Sequence, residues 1–161
     1  MNLRLFTTPL LVTVLLLSTL GCSKKDEAAA SATGSYQLDN ALITCQATAS
    51  SSTSNSGGIS VDYLTIDLIT TPQATTGAET LRLFFVKPNV QSNTTYTLTD
   101  ILLTTKGTTP PYHFSVDAAA LTSTSSGSFS GTFSGQILKP GGMASGPYTT
   151  ITSGTFTNVR P

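Results

Sequence analysis

Cys22 carries the thiol with the clearest chemical context in this chain. Arg4 is followed by an apolar run over residues 10–17 and then by Gly21, a small residue directly before the cysteine. This order of basic, apolar and small residues is typical of a secretory signal peptide that is cleaved before Cys22. The apolar run is shorter than the roughly 20 residues that a membrane span requires. The sequence therefore predicts export, and it makes Cys22 the first residue of the mature protein.

Residues 19–22 read Thr-Leu-Gly-Cys and resemble the lipobox of bacterial lipoproteins. In that family the thiol receives a diacylglycerol, the signal peptide is removed and the new amino group is often acylated. The family prefers leucine three residues before the cysteine, whereas this chain has Thr19 there and Leu20 one place later. The resemblance implies cleavage between Gly21 and Cys22 and lipidation of Cys22 with palmitate-like chains. Each buried CH₂ contributes about 0.8 kcal/mol, so several chains would hold the protein on a membrane without spanning it.

A charged cluster directly follows the cysteine. Lys25, Asp26 and Glu27 resemble the lysine and acidic pair that lipoproteins of the Bacteroidetes phylum often carry as a surface-export signal. The resemblance implies a lipid anchor in the outer membrane with the protein displayed on the cell surface. The other interpretation is a solvated charge cluster, with the protein on the periplasmic face of the same membrane.

The remaining nucleophiles and bases form no catalytic pattern. His113 is the only histidine, and a Ser-His-Asp triad would need it beside a serine and an orienting carboxylate. Ser115 and Asp117 share its face in a strand, but no nucleophile-elbow motif surrounds them. Cys45 follows apolar residues and has no cationic neighbour in sequence to activate it, so we interpret it as a semi-buried small hydrophobic residue. We predict no catalytic residues, and the chain is not expected to be an enzyme.

Metal, cofactor and nucleic-acid sites are not expected either. One histidine and one further thiol are too few ligands for zinc. The aspartates of the predicted domain lack the spacing of a calcium loop; they are Asp39, Asp62, Asp67, Asp100 and Asp117. Removal of residues 1–21 takes Arg4 and leaves seven basic residues against eight acidic ones. Such a near-neutral chain has no basic stripe for phosphate backbones.

Three segments follow from composition. Residues 1–21 are the predicted signal peptide, 22–34 the lipidated cysteine with a flexible tether, and 35–161 a single domain. The chain contains 30 threonines and 20 serines, while only 10% of its residues are charged. Threonine is β-branched and suits a half-exposed pleated surface. Apolar runs of strand length separated by turn residues argue against disorder.

The elements predicted from alternation are all strands. They are 35–47, 61–70, 79–87, 94–104, 112–116, 128–138 and 149–159. Residues 48–58 are predicted to be a loop, and 117–121 to form at most one helical turn. A bulge is expected at Gly154, because it would reset the parity between Ile151 and Phe156. Seven or eight short strands predict an all-β, antiparallel β-sandwich, with a barrel as the alternative.

The C-terminal strands carry a further resemblance. Gly131-Thr132-Phe133-Ser134-Gly135 and the later Ile151–Phe156 stretch (ITSGTF) resemble the ending of small uncharacterised Bacteroidetes lipoproteins. Those families have no settled activity, so the resemblance implies a β-rich domain and no catalytic residue. The residues themselves have a packing interpretation, in which the phenylalanines fill the core and the glycines leave room for an aromatic ring.

Three classes of function remain open. The favoured one is a non-catalytic envelope lipoprotein with a structural or interaction role and an envelope protein as a possible partner. The second is a glycan-binding module; the chain has no tryptophan, so its stacking residues would be Tyr63, Tyr96, Tyr112 and Tyr148. The third is a carrier of lipid or another small ligand, which an internal apolar cavity of several hundred Å³ would support on the order-of-magnitude scale of such sites.

Overall fold

The structure is a computed structural model that describes residues 32–56, 58–71, 78–89, 95–105, 110–143 and 146–161. These residues form strands and turns. The strands are β1 (Thr33–Leu38), β2 (Ala41–Ser56), β3 (Ile59–Thr70), β4 (Thr80–Pro88), β5 (Thr97–Thr104), β6 (Tyr112–Ser123), β7 (Phe129–Met143) and β8 (Gly146–Val159). None of the described residues belongs to a helix long and apolar enough to cross a membrane.

The eight strands form a closed antiparallel barrel. Each strand pairs with the next one along the chain, and β1 pairs with β8 to close the sheet. The all-β prediction is confirmed, and its barrel alternative is the architecture found; the sandwich is not. Closure satisfies the backbone of both terminal strands, which a sandwich would have left as open edges.

The first predicted strand is two strands. Asp39 and Asn40 have positive φ values of 48° and 70°, and they form a two-residue turn between β1 and β2. Asp and Asn tolerate this left-handed conformation better than other non-glycine residues, which makes the pair a natural hairpin turn. The domain also begins slightly earlier than predicted, because β1 starts at Thr33 rather than at residue 35.

The predicted loop over residues 48–58 is wrong for residues 48–56, which belong to β2. β2 continues to Ser56 and pairs with β3 in continuous register from Cys45↔Thr70 to Ser56↔Ile59. The serines and threonines of this stretch are compatible with an exposed strand, and β3 supplies the partner that holds them extended.

Two further boundaries also differ from the predictions. Residues 117–121 continue β6 as a strand, because β7 pairs alongside them from Ala118↔Ser134 to Leu121↔Gly131. The strand predicted to end near residue 138 continues as β7 to Met143.

Bulges let β8 follow the curvature of the barrel. The predicted bulge near Gly154 is confirmed, and its left-handed residue is Ser153, with φ of 50°. A second irregularity lies at Asn158, with φ of 55°. Each one resets the side-chain parity, so Ile151, Gly154, Phe156 and Val159 are all buried although their spacing is not alternate.

Inward-facing side chains fill the barrel. The largest fully buried ones are Tyr36, Phe85, Phe156, Leu64, Ile66, Leu68, Leu81, Leu83, Ile101, Ile151 and Val159. Phe156 makes an edge-to-face contact with Phe85 at 6.2 Å between ring centroids, and it stacks on Phe133 at 6.5 Å. An aromatic cluster therefore crosses the interior from β4 to β7 and β8.

Glycines on β7 and β8 accommodate these rings. Gly131 pairs with Phe156 and Gly154 pairs with Phe133 across the two strands. A Cβ at Gly131 would lie 2.6 Å from Phe156 Cζ, and one at Gly154 would lie 2.6 Å from the Phe133 ring. Each glycine thus provides the space that the opposite phenylalanine occupies, which confirms the packing interpretation of the C-terminal motif.

Tyr36 is buried completely, and its hydroxyl has no hydrogen-bond partner among the described residues. Burial raises the pKa of this hydroxyl well above its ordinary value, with smaller contributions from Cys45 and Glu79. An unsatisfied buried polar group costs about 1–3 kcal/mol.

Replacement of Tyr36 by phenylalanine is therefore expected to leave the free energy of unfolding unchanged or to raise it by about 1 kcal/mol, because the ring stays and the unsatisfied hydroxyl goes. Denaturant unfolding measures this. The control is Tyr63→Phe, in which the hydroxyl removed belongs to an exposed ring. A loss of stability in Tyr36→Phe alone would show that the hydroxyl has a stabilising partner.

Candidate functional site

The wall of the barrel opens between β5 and β6. These strands are in register only at Ile101↔Phe114, Leu102↔His113 and Leu103↔Tyr112. The neighbouring pairs β4–β5 and β6–β7 stay in register over most of their length. Beyond Ile101 and Phe114 no described residue of β5 is in register with one of β6, and we call this stretch the β5–β6 seam.

Two bulges explain why the seam opens. On β5, Thr99 is the extra residue between Phe84↔Asp100 and Phe85↔Leu98, and its hydroxyl donates to the Phe84 carbonyl at 3.2 Å. On β6, Asp117 is the extra residue between Val116↔Gly135 and Ala118↔Ser134. A bulge bends its strand and increases the local twist. Both bulges lie on the side of the Ile101↔Phe114 pair where the β5–β6 register ends, and there β5 stays paired with β4 and β6 with β7.

A pocket of about 280 Å³ occupies the seam. Its apolar lining comes from Phe85, Leu98, Val116 and Leu121, with Tyr96 at one side. Ala119 also lines it; this residue pairs with the buried Phe133 and so faces inward, yet it is exposed. An inward-facing side chain that reaches solvent shows that the pocket connects the apolar interior with the outside.

Tyr96 is held between two neighbours. Its ring packs edge-to-face on Phe129 at 5.9 Å, and Lys87 Nζ lies 5.1 Å from the ring centroid. Lys87 in turn contacts Asp62 at 2.9 Å, and Thr53 donates to the same carboxylate at 2.8 Å. Hydrogen bonds from Lys87 and Thr53 lower the pKa of Asp62, and the bond to Asp62 raises the pKa of Lys87. The hydrogen-bonded group of Lys87, Asp62 and Thr53 therefore holds the Tyr96 ring at one side of the pocket.

Asp117 is the charged residue of the pocket lining. The other strand aspartates lie beside basic side chains: Asp62 beside Lys87, Asp67 beside Arg82 and Asp100 beside His113. Within the described part of the chain, Asp117 has no such partner. The bulge at this position places an unpaired carboxylate at the rim of an apolar pocket.

His113 lies outside the pocket. It is an exposed residue of β6, and its Nδ1 is 3.4 Å from an Asp100 carboxylate oxygen on β5. Ser115 follows two residues later and is also exposed, whereas Asp117 occupies the bulge and lines the seam. The structure therefore pairs His113 with Asp100 rather than with the sequence candidate Asp117.

Cys45 faces the interior at the opposite side of the barrel. The thiol is free and buried. Burial raises the pKa of the Cys45 thiol to about 11, with a further contribution from Glu79. Because the thiolate is the reactive form, this cysteine is a poor nucleophile at neutral pH.

The four tyrosines considered for glycan stacking do not form a row. Tyr63, Tyr112 and Tyr148 are exposed but lie on β3, β6 and β8, no two of which are adjacent. Tyr96 is partly buried in the side of the pocket. Stacking of one sugar chain across neighbouring tyrosines has no support in this arrangement.

Several sequence predictions lie outside the described residues. These are the signal peptide with its cleavage between Gly21 and Cys22, the lipidation of Cys22, and the export signal at Lys25, Asp26 and Glu27. Among the residues that are described, no group of three or more histidine, cysteine, aspartate or glutamate side chains could hold a metal ion.

Alternation in the sequence does not reveal the seam, because each of its strands is an ordinary strand taken alone. Residues 117–121 (DAAAL) are the sequence feature that could have indicated the seam, because they place small residues and an aspartate in a barrel strand. Comparison with protein-family models, curated proteins and solved structures found no match to this chain.

Proposed function

We propose that this chain is a lipid-anchored protein of the bacterial cell envelope, displayed on the cell surface, with a non-catalytic interaction role. The lipobox-like residues ending at Cys22 and the charged cluster after it support anchorage and export. The β5–β6 seam supports the interaction role, because its apolar pocket lies beside a stretch of β6 that has no registered pair with β5 among the described residues.

The seam is the observation that carries the interaction role. A pocket lined by Phe85, Leu98, Val116 and Leu121 offers apolar surface to a partner. Convergent polar groups fix orientation in such sites, and here Asp117 and the Tyr96 side chain lie at the rim. His113 and Cys45 do not line the pocket. The histidine and the buried thiol are therefore not placed to act on a bound partner.

The two alternatives have less support from the geometry. A carrier would hold its ligand inside the barrel, but the Gly131–Phe156 and Gly154–Phe133 contacts fill that part of the interior. A glycan module would present neighbouring aromatic rings, and the exposed tyrosines are on separated strands.

Protease shaving of intact cells tests the proposed location. Cleavage in the segment between Cys22 and β1 would release the barrel, so we expect added protease to remove the domain from intact cells. Replacement of Lys25, Asp26 and Glu27 by alanine is expected to protect the domain until the cells are lysed.

Two controls make the shaving result specific. Lys24→Ala leaves the three-residue signal intact and should behave as the unmodified protein does. A periplasmic protein reports leakage. A domain that survives protease in intact cells, and is cut only after lysis, would place the protein on the periplasmic face and contradict surface display.

A further inference from the structure

We infer that the β5–β6 seam binds an extended peptide, which adds as a strand to the free edge of β6 and carries one apolar and one basic side chain. This inference rests on the proposed interaction role and names the class of its partner. The partner is a polypeptide in β conformation.

Among the described residues, one edge of β6 has no registered partner strand beyond Phe114. From Ser115 to Ser123 this strand pairs with β7 on one side, while its registered pairing with β5 ends at Phe114. In an antiparallel sheet, alternate residues direct their N–H and C=O groups to each edge. Unpaired strand edges are templates for another strand, and peptide recognition by strand addition uses them.

Side-chain size at the edge favours approach of another backbone. Ala118, Ala119 and Ala120 are consecutive and all exposed. Their side chains are single methyl groups on both faces of the strand, so a second chain can approach without displacing large side chains.

The pocket supplies a place for one apolar side chain. Phe85 and Leu98 are buried at its base, and Val116 and Leu121 are partly buried beside them. A cavity of about 280 Å³ is small for a drug-sized ligand, since such sites run from roughly 300 to 1,000 Å³. Its size suits a single aliphatic or aromatic side chain projecting from a strand.

Asp117 supplies the charge preference. It lines the seam, and no basic side chain of the described residues lies against it. A lysine or arginine of the added peptide would complete an ion pair like those of Asp62 with Lys87 and Asp67 with Arg82. Side chains of a strand alternate between its two faces. We therefore expect the apolar and the basic residue of the peptide at positions of opposite parity.

The test begins with nine-residue peptides displayed on phage and selected against the protein produced from its full-length sequence. We expect the enriched peptides to alternate apolar and polar residues and to contain lysine or arginine. One enriched peptide, synthesised with a fluorescent label, then serves as the probe in fluorescence polarisation. Selection of no peptide, or of peptides without alternation, would overturn the inference.

Two pairs of variants locate the probe. Ala119→Phe fills the pocket and is expected to weaken binding at least tenfold, whereas Thr132→Phe adds the same ring on the exposed outer face of β7, outside the pocket, and should leave binding unchanged. Asp117→Asn removes the charge in the seam and is expected to weaken binding about fivefold, an electrostatic effect that high salt should reduce. Asp100→Asn removes a carboxylate outside the pocket and is the matched control.

Backbone pairing is tested on the peptide itself. Two peptides are compared, each methylated on the backbone nitrogens of alternate residues, so that each lacks the N–H donors of one strand edge. One of the two is expected to lose at least tenfold in affinity, and the other is expected to bind normally. Equal binding of the two methylated peptides, or equal effects of Ala119→Phe and Thr132→Phe, would show that no strand is added at the seam. The shaving experiment has a separate readout, so failure here is distinguishable from failure of the proposed location.

Discussion

Replacement of Cys22 by alanine is expected to abolish acyl labelling of the protein completely. In bacterial lipoproteins the cysteine thiol is the acyl acceptor, and alanine has no group that could take its place. Each buried CH₂ contributes about 0.8 kcal/mol to membrane attachment, so loss of all chains removes the anchor rather than weakening it. Incorporation of an alkyne-tagged palmitate, detected on the purified protein, measures this directly.

The second cysteine provides a matched control. Cys45 is buried inside the barrel with a thiol pKa raised to about 11, so Cys45→Ala should label as the unmodified protein does. Removal of the signal peptide follows acylation in the family, so Cys22→Ala is also expected to retain residues 1–21, which mass spectrometry detects. Equal labelling of the Cys22→Ala and unmodified proteins would contradict the lipobox interpretation.

Replacement of Gly131 by valine is expected to cost about 3 kcal/mol of stability, at the upper end of the usual range for overpacking. A Cβ at this position would lie 2.4 Å from the Ala120 carbonyl oxygen and 2.6 Å from Phe156 Cζ. The carbonyl belongs to the neighbouring strand β6 and the ring is buried between Phe85 and Phe133. Relief of the contact would therefore disturb the β6–β7 pairing or the aromatic cluster.

The adjacent residue gives the control for this substitution. Thr132 is exposed on the outer face of β7, and Thr132→Val is expected to change the free energy of unfolding by no more than about 0.5 kcal/mol. Urea unfolding of the two variants compares the same new side chain on two faces of one strand. Similar stabilities for Gly131→Val and Thr132→Val would mean that the glycine is not required for the ring to pack.

Alternation in the sequence predicted the strands well where apolar and polar residues follow each other strictly. β3 and β4 are examples, since Leu64, Ile66 and Leu68 on one and Leu81, Leu83 and Phe85 on the other are buried as the pattern indicates. It failed where turns and exposed strands are made of the same residue types. The serine-rich residues 48–56 belong to a strand because β3 pairs with them, and Asp39-Asn40 divided a predicted strand because both residues adopt positive φ.

The β class follows from local properties of the chain, namely its β-branched residues and its period-two alternation. The predicted export and lipid anchor likewise rest on a short contiguous segment ending at Cys22. Closure of the barrel was decided only by tertiary structure, since it requires β1 to pair with β8, where the Thr33 and Thr157 hydroxyls are 3.2 Å apart although 124 residues separate them. The seam was decided in the same way: bulges at Thr99 and Asp117 act together only because β5 and β6 are neighbours in a closed sheet, and no local pattern records that neighbourhood.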